Sequence, residues 1–328
     1  MIPETEVVTF GEAMIRLSPP GAQRLEQAHT LDLWVAGAEL NVAVGLSRLG
    51  TQTAWVSRVP KSPLGRKVIA HARANGVDAS GVVWAEDGRL GLLFVEVGQT
   101  PRPSATLYDR GRSSFAALEG DEFDWPALLA GAHAFHTSGI TPALSPGCAR
   151  AAAAGLAVAR EAGCHTSYDL NFRALLTSPE EARRQLKELA PTIDTVIASS
   201  GEAAEVFGLS GSPTEVAARM RDELGLSRVV VSSRVHGRDG TQSRHSAVVD
   251  DDVEEVRSAE FRTVDPLGGG DAFSAGFLHG LLQDGPRRGL ELGGAVAALK
   301  QSIPGDFAVV SPEEVDQLLD GGDVRTRR

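Results

Sequence analysis

The sequence predicts an α/β protein: a mostly parallel central sheet with helices on both faces, and a small β-sheet lid over one edge. Three observations carry that prediction. Short β-branched runs alternate with longer Ala/Leu/Glu/Arg segments, the rhythm of parallel strands joined by helical crossovers. Two stretches, about 12–37 and 90–112, break the rhythm with short alternating strands set between Gly and Pro residues, and these form the lid. The 328 residues, 42% hydrophobic and 23% charged, are enough for one full core and an accessory element, so 1–328 is read as a single domain.

The elements follow in order. Val7 to Phe10, Thr53 to Val59, Ala134 to Thr137, Thr166 to Asp169, Thr195 to Ala198 and Arg228 to Ser232 read as buried strands. In the lid, Leu92 and Phe94 alternate as a half-buried strand requires. A helix is expected over Pro179 to Leu189, where Ser178 can cap, Pro179 suits the first turn, and Glu180 and Glu181 complement the dipole. No internal repeat is visible, and the Arg-rich end, Arg325 to Arg328, reads as a frayed tail.

Composition excludes several functions. A formal net charge of −11 argues against a general nucleic-acid or anionic-membrane surface, which needs clustered Lys and Arg. The N-terminal residues, with Glu4 and Glu6, lack the basic start and apolar stretch of a secretory signal, so a cytoplasmic location is expected. No uncharged apolar run approaches the roughly 18 to 20 residues of a membrane span. Cys148 and Cys164 lack metal-binding spacing and read as free thiols, and His133 and His136 as strand-end or core residues.

The chemistry concentrates in Asp265-Pro-Leu-Gly-Gly-Gly-Asp271, followed by Phe273, Phe277 and Leu281 at the four-residue spacing of a buried helix stripe. Gly268, Gly269 and Gly270 therefore sit at a helix start, where unpaired amides and the positive end of the dipole can hold a phosphate. An acidic residue inside such a cradle repels a phosphate, so Asp271 needs another purpose. It can take the proton of an attacking hydroxyl, or it can be a favourable first-turn carboxylate beside a tight turn; spacing alone leaves both open.

Here the chain resembles a known family. Asp265 to Gly276 is similar to the C-terminal signature of the ribokinase-like, PfkB-type sugar kinases, which have a three-layer α/β/α sandwich with a β lid. Within it, the 2-keto-3-deoxygluconate kinases match through Ala36-Gly-Ala-Glu-Leu-Asn41, Tyr108-Asp-Arg110, His136 to Pro146 and Asp169-Leu-Asn-Phe-Arg173. The resemblance implies Asp271 as general base and Gly268 to Gly270 as the anion hole for the γ-phosphoryl group. It implies sugar contacts from Gly37, Asn41, Ile140 and Asp306, with Tyr108, Arg110 and Arg173 around an acidic sugar. For ATP it implies Ser199, Glu202, Ser232, Arg234 and Gly237, with Glu202 reaching Mg²⁺ through water. No P-loop lysine motif is present.

Departures from the family's pattern also stand in the sequence. Ala36 replaces a glycine and is expected to stiffen the lid hinge, Ser200 stands where glutamate is common, and Leu93 replaces an aromatic. Gly269 replaces alanine, and Arg234 replaces a glycine where its side chain either contacts or obstructs the nucleotide. The expected activity is ATP-dependent phosphorylation of 2-keto-3-deoxygluconate or a related acidic keto sugar at its terminal hydroxyl. A kinase for a neutral sugar such as fructose or ribose, and a catalytically weak sugar-binding relative, are the alternatives. An exposed lid edge predicts a homo-oligomer, a dimer or higher, paired through the lid.

Overall fold

A strand with no polar alternation has to be covered on both faces, and the apolar runs do form the centre of one sheet. A computed structural model describes residues 5–99, 101–236, 241–249 and 252–321. The strands are β1 (Val7–Phe10), β2 (Met14–Ser18), β3 (Asp32–Ala36), β4 (Thr53–Pro60), β5 (Val82–Ala85), β6 (Gly91–Glu96), β7 (Ala105–Asp109), β8 (Ala134–Ser138), β9 (His165–Asp169), β10 (Thr195–Ser199), β11 (Arg228–His236), β12 (Thr241–Val249) and β13 (Asp252–Arg257). The main sheet runs β13-β12-β11-β10-β9-β8-β1-β4-β5. From β11 to β5 every pairing is parallel, while β12 and β13 add on antiparallel.

The six expected strands are present. Three further strands are not expected from the sequence: β5, which is only four residues long, and β12 and β13, whose sequences lack a continuous apolar run. All three lie toward the sheet edges, where backbone pairing can hold a strand that its composition does not announce. The lid is a separate sheet in the order β3-β2-β6-β7, with β2 and β6 parallel and the outer pairs antiparallel.

The helices are α1 (Ala38–Arg48), α2 (Pro63–Ala74), α3 (Trp125–Leu128), α4 (Ile140–Leu144), α5 (Pro146–Glu161), α6 (Pro179–Leu189), α7 (Ser200–Phe207), α8 (Pro213–Leu224), α9 (Gly269–Asp284), α10 (Pro286–Gln301) and α11 (Pro312–Leu319). Five of them, α2, α5, α6, α8 and α11, begin with the same Ser-Pro dipeptide. The serine hydroxyl accepts from the amide three residues on, and the following proline fills a position whose N–H has no partner to lose. The cradle helix α9 has no such cap.

Phe10 sits at the centre of an aromatic cluster, its ring 5.1 Å from Phe123, 5.1 Å from Trp125 and 5.3 Å from Phe115. Elsewhere in the molecule α9 and α10 pack backbone to backbone: a Cβ at Gly276 would stand 2.6 Å from the Leu292 carbonyl oxygen. That close pairing makes α9 a rigid mount for the residues at its start. Cys148 and Cys164 are free and buried. His136 is a core residue, hydrogen-bonded to Ser167 at 3.1 Å, and burial pushes its pKa down to about 3. Arg325 to Arg328 lie outside the described residues. Among the described residues no helix is long and apolar enough to cross a membrane.

Because Phe10 is fully buried, Phe10→Ala is expected to cost ~3–5 kcal/mol of stability. Urea unfolding checks this as a lower midpoint with an unchanged slope.

Candidate active site

In open parallel sheets ligands gather beyond the carboxyl ends of the strands. Here a cleft of about 820 Å³ lies at that end, between the lid and the start of α9. It brings together Gly37, Asn41, Tyr108, Arg110, Ile140, Arg173, Ser199, Glu202, Ser232, Arg234, Gly268, Gly269, Gly270, Asp271 and Asp306. Gly237, the remaining site residue expected from the sequence, lies outside the described residues.

The floor is the cradle. Gly268 precedes α9 with φ +75, and no side chain caps the helix. A Cβ on Gly268 would overlap the Asp306 carbonyl oxygen, so the site demands glycine for both backbone angle and close approach. The amides of Gly269, Gly270 and Asp271 belong to the first turn, which has no intrahelical acceptors. A Cβ on Gly270 would meet open space, whereas one on Gly269 would overlap the amide end of Gln301.

Asp271 is buried at this helix start. Asn41, from the first turn of α1, donates to its Oδ2 at 2.6 Å, and Asn171 stands 3.5 Å from Oδ1. Burial raises the carboxyl's proton affinity, opposed by the Asn41 hydrogen bond and by the charge of Arg173. Asn171 adopts φ +39, a left-handed conformation asparagine tolerates, and this turns its amide between Asp271 and Arg173, whose Nη2 donates to the Asn171 Oδ1 at 2.6 Å. At the end of β9, Asp169 accepts from the Asn171 amide at 3.1 Å and from Ser274 Oγ at 3.2 Å. Its carboxyl is pushed well above the usual range, first by burial and then by the charges of Glu202 and Asp271.

Glu202 is the third residue of α7 and closes a capping box: Oε2 accepts from the Ser199 amide at 2.8 Å and hydroxyl at 2.7 Å. Oε1 accepts from the Phe172 amide at 2.8 Å, tying the Asp169–Arg173 segment to the start of α7. With three protein donors fixing it, Glu202 retains lone pairs for a water rather than standing free as a metal ligand. Glu202 and Asp271 lie near enough to Asp169 for their charges to raise its carboxyl, but among the described residues no three His, Cys, Asp or Glu side chains gather as a metal site, so the fit to Mg²⁺, which takes one or two carboxylates and keeps several waters, rests on Glu202 through water.

The arginines differ in their surroundings. Arg110 follows β7, is nearly buried, lies 5.7 Å from the Tyr108 ring centre and forms an ion pair with Glu12, which also accepts from Ser113 Oγ. Arg173 is exposed and has no carboxylate partner among the described residues. Arg234, on β11, brings Nη2 to 3.5 Å from where a Cβ of Gly269 would lie, and desolvation lowers its pKa. Asp306 faces the cleft, but its Oδ2 accepts from Arg16 Nη1 at 2.8 Å. Ala36 ends β3 without a positive φ, so the glycine it replaces is not required there. Leu93 is a buried wall of the cleft.

Glu12, Arg16, Asp169, Asn171, Lys300 and Gln301 also shape this region, and sequence reasoning gives none of them a role. Asp169 and Asn171 lie inside a segment the sequence does single out, Asp169 to Arg173; the others carry no local signal. Three residues that line the cleft carry a buried side-chain atom with no hydrogen-bond partner among the described residues: Asn41 Oδ1, Ser200 Oγ and Gln301 Oε1. Buried polar groups are normally paired, so orphans grouped around one cleft mark a place where a polar ligand completes the bonding.

A helix-covered parallel sheet roofed by a four-stranded β lid, with an uncapped glycine cradle beneath it, is the ribokinase-like architecture. The chain belongs to the pfkB family of carbohydrate kinases, whose family profile matches residues 4–306. The 2-dehydro-3-deoxygalactonokinase of Haloferax volcanii is 42% identical over 97% of this chain and 98% of its own length. Fructokinase-1 of Zea mays is 32% identical over 85% of this chain and 83% of its own. The crystal structure of 2-dehydro-3-deoxygluconokinase from Thermotoga maritima superposes with a TM-score of 0.90 at 33% identity, covering 97% of this chain and 98% of that one.

Beside the cleft, in the first turn of α1, Glu39 is fully enclosed; its Oε1 accepts from the Ser138 amide at 3.0 Å, Ser138 Oγ at 2.7 Å and Thr141 Oγ1 at 2.8 Å. Burial pushes this carboxyl from 4.5 up to about 7, against those hydrogen bonds. Between pH 4.5 and 7 the folded state therefore holds a proton that the unfolded chain has lost, so stability contributed by Glu39 declines as pH rises through that window. The decline is about 3 kcal/mol at ~1.4 kcal/mol per pH unit. Denaturant unfolding at pH 5 and pH 8 is expected to show that extra slope in the wild type and not in Glu39→Gln; equal slopes would count against it.

Proposed function

We propose that this kinase transfers the γ-phosphoryl group of ATP to the terminal hydroxyl of a 2-keto-3-deoxy sugar acid of the gluconate or galactonate type, with Asp271 as general base. The observation that carries the reading is the position of Asp271: a buried carboxylate of raised proton affinity, at the cleft, in the first turn of a helix whose leading amides are uncapped. The names of the 42% identical relative and of the Thermotoga maritima structure support the substrate class.

In this mechanism the two asparagines aim the Asp271 carboxylate at the sugar hydroxyl. As the hydroxyl oxygen bonds to the γ-phosphorus, its proton passes to Asp271 and the bond to the β,γ-bridging oxygen breaks. Charge on the equatorial oxygens falls on the amides of Gly268 to Gly270, which are already oriented and need not reorganise. Mg²⁺, when bound, would neutralise phosphate charge, and Glu202 is the group that would hold it, through water. Ser199, Ser232 and Arg234 form the nucleotide side. Gly37, Asn41, Ile140 and Asp306 form the sugar side. Arg173 supplies positive charge for the sugar carboxylate, and Arg110 with Tyr108 presents donors not used on Glu12. The lid closes over the pair to keep water from competing. Pairing of copies through the lid belongs to the same reading, since Leu33 and Leu107 stand exposed on its edge strands β3 and β7.

Two observations favour a neutral sugar instead: Glu12 already balances the charge of Arg110, and the Zea mays relative is named a fructokinase. A coupled assay with Mg-ATP and 2-keto-3-deoxygluconate, 2-keto-3-deoxygalactonate, fructose and ribose separates the readings. The sugar acids are expected to be preferred; equal or better turnover of fructose or ribose would sink the substrate assignment. Arg173→Ala is expected to raise KM for the sugar acid by roughly 10- to 150-fold, the worth of a charge-assisted hydrogen bond, with little change for a neutral sugar. Asp271→Asn is expected to lower kcat by about 10²–10⁴-fold while the protein stays folded, and wild-type turnover in that variant would remove Asp271 from the mechanism.

A further inference from the structure

The lid strand β2 contains one basic residue, Arg16, and it is buried, 1% exposed. Its guanidinium makes three contacts: Nε donates to Ser18 Oγ at 2.9 Å, Nη1 to Asp306 Oδ2 at 2.8 Å, and Nη2 to Asp265 Oδ2 at 2.8 Å. Asp265 in turn shapes the approach to the cradle. Its Oδ1 accepts from the Leu267 amide at 3.2 Å and its Oδ2 from the Gly305 amide at 3.0 Å. Lys300, fully buried on α10, donates to the Ile303 carbonyl at 3.0 Å and lies 3.5 Å from the Asp265 carbonyl. Finally, the Asp306 backbone oxygen packs against Gly268 so closely that a Cβ would not fit.

One guanidinium therefore joins three segments: the lid, the turn 265–268 that opens the cradle, and the 304–306 segment that backs it. Joining lid to body in this way is expensive. Two carboxylates, a guanidinium and an ammonium give up hydration, where aliphatic side chains of similar volume would give equal or better stability. What an ion cluster adds is direction, since the planar fork of arginine fixes both carboxylates at once. Direction matters here, because misplacing reacting groups by about 1 Å can cost about 10²-fold in rate. Arg16 itself does not line the cleft, so any effect on chemistry passes through Asp265, Asp306 and Gly268.

We propose that Arg16 is a positioning residue that holds the lid and the phosphate cradle in a single register, so that phosphoryl transfer to sugar and exclusion of water depend on the same contact. The proposal rests on reading the start of α9 as the phosphate site. It is tested with Arg16→Met, which keeps an unbranched apolar stem and loses the charged fork, and Arg16→Lys, which keeps charge and loses the fork. ADP and sugar phosphate are measured in the same reaction, using whichever sugar the wild type turns over fastest.

The wild type is expected to release about one ADP per sugar phosphate. In Arg16→Met kcat per folded molecule is expected to fall by about 10²-fold, with ADP released in clear excess of sugar phosphate, and Arg16→Lys to fall between the two. A purely structural role would lower the melting temperature and leave the kcat of folded enzyme and the ADP ratio at wild-type values; that result overturns the proposal. If Arg16→Met does not fold, Arg16→Lys decides by the same two measurements. If the wild type phosphorylates none of the sugars, the substrate reading fails separately, and calorimetry with a non-hydrolysable ATP analogue decides on Arg16: affinity weakened by about tenfold or more supports it, unchanged affinity refutes it.

Discussion

The structure is organised around a helix end that must be left open. Most helices of this protein satisfy their first amides with a serine or a capping box, but α9 begins on a left-handed glycine and leaves its amides uncapped. A glycine at the helix start gives up only roughly a few tenths of a kcal/mol relative to a polar cap, but it leaves the first amides without a side-chain acceptor, and the surrounding structure holds that open end in place. The enforcement is visible on every side: α10 packs backbone to backbone against α9, the Asp306 carbonyl fills the space beside Gly268, and Asp265 holds the preceding turn.

An open positive helix end among acids creates the second constraint. Asp169, Glu202 and Asp271 converge near it, and burial raises the proton affinity of the first and last. Each is held by neutral donors, from asparagine, serine and backbone amides, rather than by an ion pair. Neutral donors orient a carboxylate without consuming its charge, which leaves it able to accept a proton or face a cation. Behind the cradle Arg16 is spent on Asp265 and Asp306 and Lys300 on the Asp265 and Ile303 carbonyls, while Arg173, whose charge reaches Asp169 and Asp271, and Arg234 face the cleft. With no P-loop lysine motif in the chain, the uncapped amides of α9 together with Arg173 and Arg234 are the positive groups at the cleft.

Both constraints explain why the lid is more than a cover. Through Arg16 it is bonded to the same turn that shapes the cradle, and through Arg110 and Glu12 it carries a balanced charge pair to the rim of the cleft. Ala36, at the lid's junction with α1, sits in ordinary extended backbone, and the positive φ falls on Gly37 instead. The departure from a glycine pair is therefore compatible with the same hinge geometry.

Much of this is legible in the sequence because it is local. Apolar run length places the central strands, Ser-Pro pairs announce helix starts, and three glycines before a helical apolar stripe mark a helix beginning, so the fold and Asp271 can be read from residues close together in the chain. Edge strands β12 and β13 escape such a reading, since backbone pairing holds them and their sequences carry no apolar signature. The partners of the charged residues also escape, and for a different reason. Nothing near Arg16 in sequence distinguishes it from a surface arginine, because its carboxylates lie 249 and 290 positions away. Whether Arg110 arrives neutralised by Glu12, and Arg173 without a carboxylate partner among the described residues, is settled only when distant segments meet, since burial and pairing of a charge are properties of the folded surroundings and not of the chain that bears it.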